Sequence, residues 1–133
     1  QEGEVPGAEV HALDTPDGRW PWFAALPRVR ALARSLRPDL VHGHYLTSYG
    51  FWAAGVGHHP LVLSAWGSDV LVSPRQSRLV RALTGWTLRR ADLVTADSRD
   101  MLEAIAAYRP RAALHQVLWG VDTTKFVAVH KAP

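Results

Sequence analysis

The chain has 133 residues, 47% of them hydrophobic and 20% charged, with no cysteine and a net charge of +3. These values exclude a disordered tail, a disulfide scaffold and thiolate chemistry, and they leave enough apolar material for one domain with a core of its own. No apolar run is long enough for a membrane span, and the acidic start QEGEVPGAEV lacks the apolar segment of a signal peptide.

A start without Met is expected of an interior piece of a longer chain, and the missing cysteines fit a cytoplasmic location. In chain order, Ala8–Leu13 alternates apolar and polar residues and predicts a strand. Asp14–Trp20 is turn chemistry. Apolar residues spaced three and four apart over Trp22–Leu36 predict an amphipathic helix, with Pro27 near its start or kinking it, and Arg37-Pro38 ending it. Asp39–His44 predicts a second strand and Tyr45–Gly57 a buried helix rich in small residues. Pro60–Trp66 is the third strand, and Ser73-Pro74 is expected to open a helix that runs through Arg90. Asp92–Ala96 is the fourth strand, Asp97 or Ser98 caps a helix over Arg99–Tyr108, and Leu114–Leu118 is the fifth strand.

Strands alternating with helices predict an α/β, Rossmann-like three-layer domain whose mainly parallel sheet is covered on both faces. Residues 1–133 are expected to form a single partial domain. In such a sheet the carboxyl ends of the strands share one edge, where free amides and ligands meet. That edge would carry His42-Gly43-His44-Tyr45, Trp66-Gly67-Ser68-Asp69, Asp97-Ser98 and Trp119-Gly120-Val121-Asp122. His44 is either a binding residue or a strand-end histidine satisfied by a carbonyl. Asp69 either holds a hydroxyl of a ligand or caps the following helix. Asp97 and Ser98 read first as helix caps, and Asp122 as the residue that fixes its turn. A His42/His44 metal pair is not expected, on the reading that the two rings point to opposite faces and lack a third ligand. His58-His59 reads as an exposed loop.

Basic residues gather in Arg28–Arg37 and Arg75–Arg90. The second group reads as a solvated outer face of a sheet-packing helix, or as a surface for an anionic membrane. No nucleic-acid module accompanies the charge, so nucleic acid is not an expected partner.

Four segments taken together, RPDLVHGHY (Arg37–Tyr45), PLVLSAWGSDVL (Pro60–Leu71), RRADLVTADS (Arg89–Ser98) and LWGVDTTKF (Leu118–Phe126), resemble the N-terminal domain of retaining glycosyltransferase family 4. The resemblance covers about residues 8–126. It implies half of a GT-B architecture, in which this domain holds the acceptor and a second domain holds the nucleotide-sugar donor. The whole enzyme would move a sugar to an acceptor hydroxyl, on a free sugar or a lipid-linked one, with retention and without a metal or other cofactor. His44, Tyr45, Trp66, Gly67, Ser68 and Asp69 would then face the acceptor, with Asp97, Ser98, Gly120 and Asp122 lining the interdomain cleft. No catalytic residue is assigned to this chain. Where many members carry a histidine next to the glycine, this sequence has Trp66, which offers a stacking face instead.

The resemblance also implies a first strand and Gly-rich loop before residue 8, and a donor domain after the chain. The isolated chain is therefore expected to be inactive. A sheet without that central strand should re-pair directly, dimerise, or leave residues 1–20 displaced. Alternatives of another class stay open: a non-catalytic α/β module binding a phosphate-bearing ligand or a protein partner, or an oligomerisation fragment.

Overall fold

The computed structural model describes residues 7–13 and 19–126. The chain divides into two compact units, Gln1–Pro38 and Asp39–Pro133.

In the first unit, residues 8–13 form no strand, contrary to their alternation. Alternation makes a segment amphipathic, but a strand also needs a neighbour to complete its ladder, and no described segment pairs with this one. Val10 is 64% exposed, and the nearest partner of His11 is local, with Nε2 at 3.0 Å from the Glu9 carboxylate. The prediction of a displaced N-terminus extends to residues 1–6 and 14–18, which lie outside the described residues.

The single helix expected over 22–36 is two, α1 (Arg19–Ala24) and α2 (Leu26–Leu36). Pro27 sets the break: it has no N–H to give to the turn before it, so the ladder restarts with Arg28 and Val29 donating to the Ala25 carbonyl. Arg37 ends α2 in the left-handed region (φ 47°), its amide donating to the Ala33 carbonyl, and Pro38 forbids a further turn.

The second unit holds a four-stranded sheet of β1 (Val41–His44), β2 (Leu61–Ser64), β3 (Leu93–Ala96) and β4 (Ala113–Gln116), all parallel and in the order β1-β2-β3-β4. This is an α/β, Rossmann-like arrangement, as the sequence predicts. β1 has one neighbour in the sheet, so its other side is an edge among the described residues.

Helices α3 (Tyr49–Val56), α4 (Ser68–Leu71), α5 (Ser73–Gln76), α6 (Arg78–Leu88) and α7 (Arg99–Ala106) connect the strands. The core cluster joins Leu61, Leu63, Val94 and Ala96 of the sheet to Ala53 of α3, Leu88 of α6, and Met101 and Ile105 of α7. Those strand residues share one face. The other face carries His42, His44, Val62, Ser64, Leu93, Thr95, Ala113 and His115 by register, and none of them joins the core cluster. Strands added one beside the next through crossovers of one hand put every connecting helix on the same side, so the described residues of this unit do not cover both faces.

One local feature differs from the sequence reading. The helix expected from Ser73 to Arg90 is broken into α5 and α6, with α4 before them. Pro74 cannot extend α4, and Ser77 leaves helical geometry (φ −148°, ψ 125°) so that its Oγ accepts the Val80 amide as the cap of α6. The small residues of α3 have a steric cause: a Cβ on Gly43 would stand 2.6 Å from the Ala53 Cβ and 3.0 Å from the Gly50 Cα. Strand and helix touch there through backbone. No described helix is long and apolar enough to cross a membrane.

Candidate functional site

The carboxyl edge of the second unit is built by the segments leaving β1, β2, β3 and β4. Its centre is Asp69, at 0% exposure. Its Oδ2 accepts the Leu46 amide at 2.7 Å and its Oδ1 accepts the Trp66 amide at 3.0 Å. One buried carboxylate thus ties the segment after β1 to the segment after β2. Both oxygens accept from the chain's own backbone. Asp69 is thus a backbone staple, and the amides it holds lie in loops rather than in the helix that follows.

Gly67 makes the turn between Trp66 and Asp69 at φ 110°, ψ −76°, a conformation that side-chain-bearing residues avoid, and its carbonyl accepts the Val70 and Leu71 amides of α4. Tyr45 leaves β1 at φ 62°, a left-handed backbone that is strained for a bulky residue. Its amide still extends the ladder to the Ser64 carbonyl, and its hydroxyl shares a 2.9 Å hydrogen bond with Ser68 Oγ.

Above this frame stand three aromatic rings. The Trp66 and Trp119 indoles meet edge to face with centroids 4.6 Å apart, and both are exposed, at 51% and 60%. Trp66 Nε1 donates to His44 Nδ1 at 3.3 Å, the rings standing 5.9 Å apart. An indole N–H only donates, so His44 must accept at Nδ1 and carry its proton on Nε2. His44 at this edge is therefore a donor aimed by a tryptophan.

His42 and His44 share a face of β1, since residues two apart in a strand do so, and their rings lie 4.2 Å apart. The sequence reading placed them on opposite faces and is corrected here. No group of three or more potential metal ligands occurs among the described residues. His42 Nε2 shares a 2.8 Å hydrogen bond with Ser64 Oγ, which shares a 2.7 Å bond with Thr95 Oγ1, so a polar chain crosses three strands beneath the aromatic rim. Burial first, and then the neighbouring His44, push the His42 pKa below its usual value.

The remaining strand-end residues serve the backbone. Ser98 Oγ accepts the Met101 amide and caps α7, while the Asp97 carbonyl accepts from Gln116 Nε2. Asp122 Oδ1 accepts the amide and the hydroxyl of Thr124 at 2.9 and 2.6 Å, and these bonds hold its carboxyl below the usual range. Gly120 is exposed, has no left-handed φ and would accept a Cβ freely, so its turn does not require glycine. Of the two loop histidines, His59 is engaged: its Nδ1 lies 2.7 Å from the Asp92 carboxylate, which also accepts the Leu61 amide at 2.7 Å.

Of the residues expected at this edge, the structure joins His44, Tyr45, Trp66, Gly67, Ser68 and Asp69 into one cluster, and leaves Asp97, Ser98, Gly120 and Asp122 outside it. Trp119 belongs to the cluster but was read only as part of a strand-end motif. The signal for it was its place after β4 as a second tryptophan at the carboxyl end of a strand. Ser64 was missed as well, although its register with His44 follows once β1 and β2 are paired in parallel.

No curated protein matches the chain. A protein family described as glycosyl transferase 4-like matches residues 1–98, which takes in β1, β2 and β3 and the His44–Asp69 cluster but not Trp119–Asp122. With that much of its length matched, the chain belongs to the glycosyl transferase 4-like family.

Proposed function

We propose that this chain is the acceptor-side domain of a retaining glycosyltransferase that moves a sugar from a nucleotide-sugar to an acceptor hydroxyl. The observation that carries the reading is the exposed Trp66–Trp119–His44 rim at the carboxyl edge. Paired indoles offer an apolar surface suited to the C–H face of a sugar ring. His44 Nε2–H and the Tyr45–Ser68 hydroxyl pair then supply directional hydrogen bonds to its oxygens. The rim orients an acceptor, and His44, already protonated at Nε2, acts there as a donor and not as a base. The Asp69 and Asp122 carboxylates accept bonds from the chain's own backbone and hydroxyl groups, which fits a domain that binds acceptor while a partner domain carries the donor.

Saturation-transfer NMR with methyl glucoside, methyl galactoside and methyl mannoside tests the platform. At least one glycoside should receive saturation from the protein, and Trp66→Ala should remove the effect without unfolding the chain. Equal transfer to all three with Trp66→Ala as with the native chain would overturn the site. Measurable sugar transfer by the isolated 133 residues would overturn the division of labour between two domains.

A further inference from the structure

Away from the strand ends, a cavity of about 460 Å³ opens beside α5, α6 and α7, within the roughly 300–1,000 Å³ typical of small-molecule sites. Arg75 of α5 and Arg78 and Arg81 of α6 line it, with Tyr108 just past α7. No carboxylate belongs to its lining. Among the described residues, none of the three guanidiniums is within ion-pair distance of an aspartate or glutamate. Arg90, by contrast, has a partner in Trp86, over whose ring it lies at 4.3 Å.

The sequence builds this opening deliberately at two points. On a continuous helix, positions 75, 78 and 81 would drift by about 120° around the axis. The break at Ser77 places Arg75 on a separate helix from the other two, and all three still line one cavity. On the facing helix, Ala104 and Ala107 keep the space open where a longer side chain would fill it. Burial raises the Tyr108 pKa, with Arg81 opposing, so its hydroxyl stays a neutral donor. The cavity therefore presents three cationic forks and one hydroxyl donor over small apolar walls. Three like charges without a counter-charge repel one another, and an anion with several oxygens relieves that while satisfying bidentate donors.

We propose that this cavity is a second ligand site, distinct from the aromatic rim, that takes a phosphate ester or pyrophosphate group, carried by a free small molecule or by a lipid headgroup. The proposal does not depend on the sugar-transfer reading. Isothermal titration of the chain with inorganic pyrophosphate, at ionic strength held constant with sodium chloride, is the first arm. The second is co-sedimentation with phosphatidylcholine vesicles, with and without an equal part of phosphatidylglycerol. Binding in either arm, weakened about tenfold by Arg78→Gln and by Arg81→Gln, is the expected result. Pyrophosphate binding marks a free ligand, and vesicle binding alone marks a headgroup. Arg111→Gln removes a charge outside the cavity and should change nothing. Ala107→Leu should block binding with every arginine intact. The proposal fails if neither arm shows binding, if Arg111→Gln weakens it as much as Arg78→Gln, or if Ala107→Leu binds as the native chain does.

Discussion

Each edge of the sheet is stapled by one aspartate, and the two staples differ. At the carboxyl edge, Asp69 is fully buried and spends both oxygens on amides from separate loops. At the amino edge, Asp92 is exposed, and one oxygen takes the Leu61 amide and the His59 ring together. Both hold a crossover to β2. Water reaches the Asp92 carboxylate, whereas the Asp69 carboxylate is sealed from it. The edge that carries the aromatic rim is thus the one tied by a buried staple, which is what a site needs if its rings are to stay in place.

Removing the buried staple should have the largest effect. Asp69→Ala leaves two amides without acceptors and should cost about 3 kcal/mol, read as a lower urea midpoint. It should also release Trp66, so the indole emission should shift toward that of a solvated ring even where the chain remains folded. A midpoint unchanged by this substitution would remove the contrast between the edges altogether. Next comes Gly43→Ala, which forces a methyl into the Ala53 contact at 2.6 Å and should cost roughly 1–3 kcal/mol. Because it acts in the core and not at the staple, it should lower the midpoint without the Trp66 shift.

The same contrast separates what the sequence made legible from what it did not. Strand ends were readable because apolar triplets such as Leu61-Val62-Leu63 stop at Gly, Ser, Asp or Trp, and all four strands of the sheet fall within one or two residues of their predicted places. The buried role of Asp69 was not readable. Its partner Leu46 lies 23 residues away and donates from the backbone, which leaves no mark on side-chain pattern. The break at Ser77 was hidden for a similar reason: Arg75–Arg90 has helical spacing throughout, and only the competition between two serine-led helix starts divides it. Residues 8–13 had the pattern of a strand but no described partner to pair with, and a pattern cannot report a missing neighbour.

The exposed staple should give a smaller effect that depends on pH. The Leu61 amide, and then His59, hold the Asp92 pKa below 3.8. An acid whose folded pKa is depressed contributes stability that is present above 3.8 and lost as pH falls through the lower folded value. Asp92→Asn should therefore cost a little stability near neutrality, less than Asp69→Ala does, and flatten the profile at the acid end, where the native chain loses the same contribution. A loss at neutral pH equal to that of Asp69→Ala would show that exposure does not separate the two edges.

The smallest effect belongs to His42, and it has the same sign as that of Asp92 but a different origin. Its pKa is lowered from 6.5 because burial and the neighbouring His44 both disfavour the cation. The unfolded chain then binds a proton that the folded chain resists as pH falls below 6.5, so stability rises with pH across that window and declines on its acid side. Protonation would also place a charge 4.2 Å from the His44 ring and turn His42 Nε2 into an obligatory donor toward Ser64, which would then have to accept. His42→Gln keeps an amide within reach of Ser64 but removes the titration. Its stability should be nearly level from neutral pH down to the range where carboxylates titrate, while the native chain loses stability over the same interval. Parallel profiles for the two would mean that the proton is taken up equally in the folded and unfolded chains, and that the polar chain His42–Ser64–Thr95 is not what holds this face of the sheet neutral.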